Sequence, residues 1–450
     1  MIDKVIKHSG GADIAAEELK QRILSTKDSE RCSNNIYYVS QRGDDSNDGL
    51  SPQRPIKSYD HIANLPLKEG DSVLLERGSL FRASDMLWVK SGVYYGAYGE
   101  GEKPLVYGSL RDYADASIWK QSEENNNIWT TPLAHTAAAL ITFNNDEFIG
   151  DWKYTKPELT KDGDFYHTAE EGVFYLYYEG GNPGECFDSI EISSTEVSIR
   201  GSYIENVTIE NIYFKYNTVG AFLFGEIKGI TIKGCVMGWG GGKIFEIRDK
   251  GPLRFGNAAE FWYQCEDITV ENCWVYQQFD AALTFQGEGA DTPIFKNIKF
   301  ENNLIEYCSM NIEYWAGKNP DGTPAVIDNI SYKGNIIRFA GYGWGGIYRW
   351  DKEDQASLLG WNYLNDNLNN FVITENIIDC ADCYMIYLKS PKEQAGLTVF
   401  NNSYYQKPVS GTHDCIEVVR GLDICATNEE ELKEAISNFE EKPRLVKWIS

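Results

Sequence analysis

The chain has 450 residues, 42% of them hydrophobic, and a formal net charge of −25. That length admits one large solenoid or two to three compact domains, and the negative charge argues against nucleic acid or an anionic membrane as a partner. No stretch approaches the roughly 20 apolar residues of a membrane span.

Residues 1–35 form a polar extension in which ADIAAEELKQRILS reads as a short amphipathic helix. A helix here is expected to cover the open edge of the first strands. The first 30 residues lack the apolar run of a signal peptide. Residues 36–110 alternate in the manner of strands, with Gly and Pro punctuation. Within them GDDSNDG at 43–49 resembles a calcium loop but fails its test, because Ser46 takes an acid's place and Pro55 stands where a bidentate Glu belongs. A tight polar turn is the better reading. Residues 111–195 break the rhythm with strand-like segments such as AAALITFNNDEFI and GVFYLYYEGG, read as a β-rich insertion walling one end of a groove. Residues 196–425 hold a repeat, and 426–450 hold a helix with Thr427 before an acidic first turn, NEEELKEAI, placed to close the far end.

The repeat organises the rest. VTIENI, ITIKGC, ITVENC, IKFENN, ISYKGN, FVITEN and LTVFNN open at Val207, Ile230, Ile268, Ile298, Ile330, Phe371 and Leu397. The spacings of 23, 38, 30, 32, 41 and 26 residues, with β-branched alternation, mark a solenoid with loops of uneven length. The sixth positions are Ile212, Cys235, Cys273, Asn303, Asn335, Asn376 and Asn402. Four stacked asparagines can pass amide hydrogen bonds from rung to rung at about 4.8 Å. Two long loops, 238–257 and 350–370, are expected to rise from one side of the stack.

Stacked strands with an inward Asn column resemble the right-handed parallel β-helix of the pectate-lyase-like carbohydrate-active enzymes. The opening stretch IYYVSQRGDDSNDGLSPQRPIKSYDHI followed by KEGDSVLLERGSLFR resembles their first rungs, so the likeness runs from about Ile36 to Gln406. It implies an all-β fold, a right-handed parallel β-helix with a β-rich insertion and short terminal helices. It also implies a glycan as partner, and the nearest members in character are the glycoside hydrolases. The strong negative charge favours a neutral or lightly charged oligosaccharide over a uronate polymer. The 28 Tyr and 12 Trp suit sugar-binding surfaces and solenoid cores alike.

The second strands of successive rungs align as AAEFW (258–262), ALTFQ (282–286), NIEYW (311–315), IYRWD (347–351) and IYLKS (386–390). One outward column then carries Glu260, Thr284, Glu313 and Arg349, ending at Leu388 or Lys389. Two residues on, Trp262, Gln286, Trp315 and Asp351 face the same side, and Asp280 stands at the bend before the middle strand. Glycosidic cleavage needs a pair of carboxyls, one to protonate the leaving oxygen and one to attack or activate water. Asp280 and Glu313 are the expected pair, with Glu260 third, and Trp262, Gln286, Trp315, Trp344, Arg349 and Asp351 are expected to bind substrate. Stacked positions two rungs apart lie about 10 Å apart, which leaves retention and inversion both open. GYGWGG at 341–346 lacks the phosphate-loop pattern and reads as close backbone approach to a ligand, with Trp344 against a sugar. Arg349 serves a sugar or pairs with Glu313.

None of the five histidines falls within 200–405, which disfavours a histidine metal site or a Ser–His triad, though His135 and His167 have scope to reach in from the insertion. The ten cysteines read as free thiols, and the lone C-x-x-C at Cys380 and Cys383 is weak for zinc. No metal or cofactor is expected. Reduced thiols without a leader point to the cytoplasm. A polysaccharide lyase or uronate epimerase, with Arg349 or Lys389 as base and acids holding calcium, is the alternative enzyme. A non-catalytic carbohydrate-binding solenoid with salt-bridged acids is the third reading.

Overall fold

The computed structural model describes residues 3–4, 7–30, 33–134, 138–249, 251–287, 292–316, 322–350, 355–362, 368–389, 391–408, 416–419 and 425–449. The chain winds as a right-handed parallel β-helix. All seven repeat openings fall in one register: Val207 lies opposite Ile230, then Ile268, Ile298, Ile330, Phe371 and Leu397 in turn. These side chains are buried, as are the apolar residues two places further along each strand, Ile209 through Ile373. Continuous burial along the axis lets rungs too small to fold alone share one core. Phe222, Phe224 and Phe261 stack within it, as do Phe300 and Tyr332.

The corner after each repeat strand has a fixed chemistry. Asn211, Gly234, Asn272, Asn302, Gly334, Glu375 and Asn401 all take φ between 51° and 66°. Asn and Gly enter this left-handed region most readily, so the turn recurs at the same place and aims the next residue inward. That next residue is the sixth of each copy. Asn303 Nδ2 donates to Asn335 Oδ1 at 3.0 Å, Asn335 to Asn376 at 2.9 Å and Asn376 to Asn402 at 3.0 Å. Each of these amides also donates to a backbone carbonyl, such as Asn335 to Phe300 at 2.7 Å. The ladder ends where Asn402 donates to Glu440 Oε2 at 2.9 Å.

Both ends of the stack are closed, though not as expected at the first. The edge of the strand Ile36–Val39 is met by the segment beyond the acidic turn: Tyr38 N–H donates to Gly49 O and Ile56 N–H to Tyr38 O. The carboxylates of that turn take backbone and hydroxyl donors, Asp44 from Ser46 within it and Asp45 from Lys57 and Ser58 just beyond it. The N-terminal helix Asp13–Leu24 does not cap this edge. It lies across the outer face of the second sheet, packing Ala16, Leu19 and Ile23 against Val236, Trp274, Leu304 and Ile336. Those four apolar residues occupy one outward column of that sheet, so they draw the helix sideways. At the far end the helix Glu429–Ser437 buries Leu432, Ala435 and Ile436 against the main core. Asn428, rather than Thr427, caps it by accepting from the Glu430 and Glu431 amides. The strand Cys425–Ala426 beside it pairs antiparallel with Ile416–Val419.

The insertion carries its own core of Trp119, Phe143, Phe165, Phe174 and Leu176 within antiparallel sheets. Of the expected long loops, 238–257 is the hairpin of Lys243–Arg248 and Gly251–Phe255. The second differs more: Ala356–Asn362, expected in a loop, is a strand of the stack. Residues 351–354 and 363–367, Asp351 among them, lie outside the described residues. Cys186, Cys235, Cys265, Cys273, Cys308, Cys380 and Cys383 are free thiols, but Cys425 is disulfide-bonded, against the reading of all ten as free. That removes one ground for expecting a reducing compartment. No helix among the described residues is long and apolar enough to cross a membrane.

Candidate active site

Strand alternation decides which side chains reach the groove. In Ala259–Glu271 the buried Ala259 and Phe261 point inward, so Glu260 and Trp262 point out. The same rule sends Thr284 and Gln286 out of Ala281–Gly287, and Glu313 and Trp315 out of Met310–Ala316. Register then stacks them. Glu260 lies opposite Thr284 and Thr284 opposite Glu313, while Trp262, Gln286 and Trp315 form the next column. This agrees with the alignment read from the sequence for three rungs.

The alignment fails at the fourth. Glu313 lies opposite Leu359, and Leu359 opposite Tyr387, so neither Arg349 nor Leu388 nor Lys389 belongs to the column. Trp344–Tyr348 is instead a short helix, and Arg349 follows it as its C-cap. The glycines of GYGWGG serve packing rather than ligand approach: a Cβ on Gly343 would sit 1.9 Å from Tyr307 O, and one on Gly346 1.7 Å from Gly341 O. Trp344 is buried, donates its indole N–H to Gln277 O at 2.9 Å and packs on Phe279, so it offers no face to a sugar. Arg349 nevertheless reaches the site from the helix end. Its Nη1 donates to Asp280 Oδ1 at 2.5 Å, a partner other than the expected Glu313.

Glu260, Asp280, Glu313, Trp262, Gln286, Trp315 and Arg349 line one cavity of about 910 Å³. The hairpin of the 238–257 loop overhangs it with Phe245, Leu253 and Phe255, and Met310 and Leu359 supply apolar floor. Trp262 and Trp315 meet edge to face at 6.3 Å and are half-buried at its mouth. Sequence reasoning missed Glu196, Arg200, Lys243 and Asn257, which also line it. The alternation of Thr195–Ser202, with Val197 and Ile199 buried, was the available signal for Arg200.

The three acids are held differently. Glu313 Oε2 accepts the Thr284 hydroxyl at 3.0 Å and Gln286 Nε2 at 2.8 Å. Both donors are neutral, and among the described residues no cation pairs with Glu313 or Glu260. Burial, then the Asp280 charge, pushes the Glu313 carboxyl up to about 8, against the two hydrogen bonds. Burial and the same neighbour raise Glu260 to about 7, opposed by hydrogen bonds from Trp262 and Asn257. Asp280 alone has a guanidinium. Burial and the Asp280 neighbour thus favour the protonated form of Glu313, while Asp280, one rung away, has a cation beside it. Because Thr284 and Gln286 both occupy Oε2, the proton of Glu313 belongs on Oε1.

His167 is sequestered in the insertion: Nδ1 accepts from the Ala138 amide at 2.9 Å, and Nε2 meets Leu133 O at 2.8 Å. His135 lies outside the described residues. Among the described residues no group of three His, Cys, Asp or Glu side chains is arranged to hold a metal ion.

Fold and site together define a β-helix with a carboxyl-lined groove. No protein-family model matches the chain, and no curated protein matches it. Among solved structures it is similar to one described as a glycoside hydrolase, with 10% identity, 92% of this chain and 96% of the other covered, and a TM-score of 0.46. It is similar to XylC in complex with xylose at 12% identity, 92% and 82% coverage and a TM-score of 0.43. It is also similar to the GH136 lacto-N-biosidase of Eubacterium ramulus at 14% identity, 97% and 70% coverage and a TM-score of 0.37. These are likenesses of chain path, and the chemistry has to be read from the side chains in the groove.

Proposed function

We propose that this protein is a glycoside hydrolase that cleaves a neutral or lightly charged oligosaccharide with Glu313 as general acid and Asp280 as its carboxylate partner. One observation carries the reading: two carboxyls in one cavity are held by different partners, Asp280 by the Arg349 guanidinium and Glu313 by neutral donors. Glycosidic cleavage asks for that division of labour. Glu313 gives its Oε1 proton to the departing glycosidic oxygen as the anomeric carbon gains positive charge. Asp280 either attacks that carbon or takes a proton from the incoming water. Arg349 pairs with Asp280 and fixes its direction. Glu260, two rungs from Glu313, is the third acid and faces the same sugar. Trp262 and Trp315 supply flat apolar surface for pyranose rings.

In the lyase or epimerase reading the base is Arg349 or Lys389. Arg349 is bound to Asp280, and Lys389 is not among the residues lining the cavity. A non-catalytic solenoid would have its acids neutralised by cations, and Glu260 and Glu313 have neutral partners.

The test is a screen of chromogenic glycosides and neutral oligosaccharides, with anomeric configuration of the product followed by NMR. Glu313→Gln should lower kcat by three or more orders of magnitude while fold and glycan binding persist. Full activity in both Glu313→Gln and Asp280→Asn removes the assignment, and an unsaturated uronate product absorbing in the ultraviolet replaces it with a lyase.

A further inference from the structure

Arg200 stands apart from the other cations of the groove. Lys243 pairs with Glu196, Arg248 with Glu246 and Arg349 with Asp280. Arg200 has no carboxylate within ion-pair distance among the described residues. Its guanidinium carbon lies 4.9 Å over the ring of Trp88, the residue opposite it on the preceding rung. Nη1 is 4.0 Å from Met86 Sδ. The side chain is half-buried and propped on an aromatic ring in a protein of net charge −25. A cation left unneutralised in such a field, at a groove, is one that the folded chain does not itself consume.

Its place is defined by register. Arg200 lies opposite Leu223, and Leu223 opposite Glu260, so it follows the acids in the same outward column at a distance of about 10 Å from Glu260. It lines the 910 Å³ cavity and also a second one of about 260 Å³ on the side of the earlier rungs. Arg200, Leu223 and Trp262 line both, so the two cavities adjoin at these side chains.

We propose that Arg200 binds an anionic substituent, a carboxylate or sulfate, on a sugar occupying the groove beyond Glu260, so that the preferred substrate is an oligosaccharide bearing one such group. This rests on the hydrolase reading for the direction of the chain but not for the binding itself. A guanidinium fork matches two oxygens of a carboxylate or sulfate, and hydrogen bonds between ions are the stronger class. The stacking on Trp88 sets the plane of the fork before the ligand arrives, which reduces the ordering lost on binding. A single unpaired cation suits one anionic group. It does not suit a polyuronate, whose further charges would meet Glu226 in the adjoining cavity.

The experiment uses the full-length Glu313→Gln protein and a glycan array of uronosyl-bearing and monosulfated oligosaccharides, each beside its carboxyl-reduced or desulfated counterpart. The best pair is then titrated calorimetrically. The charged member should bind at least tenfold more tightly than its neutral counterpart. Adding Arg200→Gln should abolish that preference with the neutral affinity little changed, and adding Arg200→Lys should keep part of it. Whether carboxylate or sulfate members lead decides the source of the charge. Equal binding of both members, a preference that survives Arg200→Gln, or no charged glycan bound at all overturns the proposal. Wild-type turnover of the same pair separates the two claims. Preference without hydrolysis leaves Arg200 in place and removes the hydrolase, whereas hydrolysis without preference does the reverse. Unchanged melting of Arg200→Gln excludes a folding defect as the cause.

Discussion

Glu313 accepts the hydroxyl of Thr284 at 3.0 Å, and the rung beyond that threonine carries Glu260 in the same column. A hydroxyl has one proton to give, and here it is given to Glu313. The two glutamates are thereby distinguished although sequence and register place them alike.

The first prediction concerns pH and rate. Glu313 works as an acid, so kcat should be lost as pH rises through about 8, the value to which burial and Asp280 raise it. A pH–rate profile on any substrate found in the screen checks this. A rate that holds constant from pH 6 to 10 would contradict the role.

The second concerns stability. The carboxyl of Glu313 is raised in the folded protein above its ordinary value of 4.5. Between 4.5 and about 8 the folded state then binds more protons than the unfolded state, so stability falls as pH rises across that window and changes no further above it. Glu313→Gln removes this dependence. Its Tm should exceed that of the wild type by on the order of 2 °C at pH 8, with the gain shrinking towards pH 4.5. Parallel thermal melts at the two pH values measure it, and equal melting at pH 8 would show that the site does not resist ionisation.

The third concerns the buried ion pair. Arg349→Met leaves Asp280 buried without its cation, and breaking such a pair from one side costs about 3–5 kcal/mol. Denaturant unfolding should show that loss, and kcat should fall by roughly two orders of magnitude or more, about 3 kcal/mol. The double variant Arg349→Met with Asp280→Leu should recover much of the stability and none of the activity. A double variant no more stable than the single would mean that the two side chains do not act as a pair.

The fourth concerns the ladder. Asn376→Ala removes the Oδ1 that accepts both the amide N–H and the side chain of Asn335, and the Nδ2 that bonds Asn402 and Tyr332 O. Several buried groups lose partners at about 1–3 kcal/mol each. A loss on the order of 3 kcal/mol is expected in denaturant unfolding, with turnover per folded molecule unchanged. Asn370→Ala breaks an amide chain that is exposed at the surface, donating to Asn329 at 2.9 Å, and should cost well under 1 kcal/mol.

The stack and the three-rung column were legible because period-2 alternation fixes which side chains face out, and the apolar columns fix register. Register flips every side chain if it slips by one, so it is strongly specified where a face is buried. Arg349 was misplaced for a reason of the same kind. IYRWD alternates like a strand, but Ile347 and Tyr348 end a helix of five residues. Nothing in local propensity announces so short a helix. It exists because Gln277 Oε1 accepts the Trp344 amide at 2.9 Å and because its glycines fit against the backbone of other rungs. Trp344 was assigned to a sugar because an indole in a glycine-rich loop reads as exposed, whereas Phe279 and Gln277, 65 and more residues away in the chain, enclose it. The N-terminal helix was foreseen as a helix but not in its place, since its target is four residues scattered over four rungs.

Parallel strands hydrogen-bonded along an axis contain no instruction to stop, and an uncovered last rung would accept the same surface of a second molecule. Here the strand Cys425–Ala426 runs backwards against Ile416–Val419, and Glu440 accepts the last amide of the ladder. A neighbouring copy therefore meets a strand of reversed direction and the helix Glu429–Ser437 where it would need an open parallel rung. The C-terminal segment thus guards against end-to-end fibre growth.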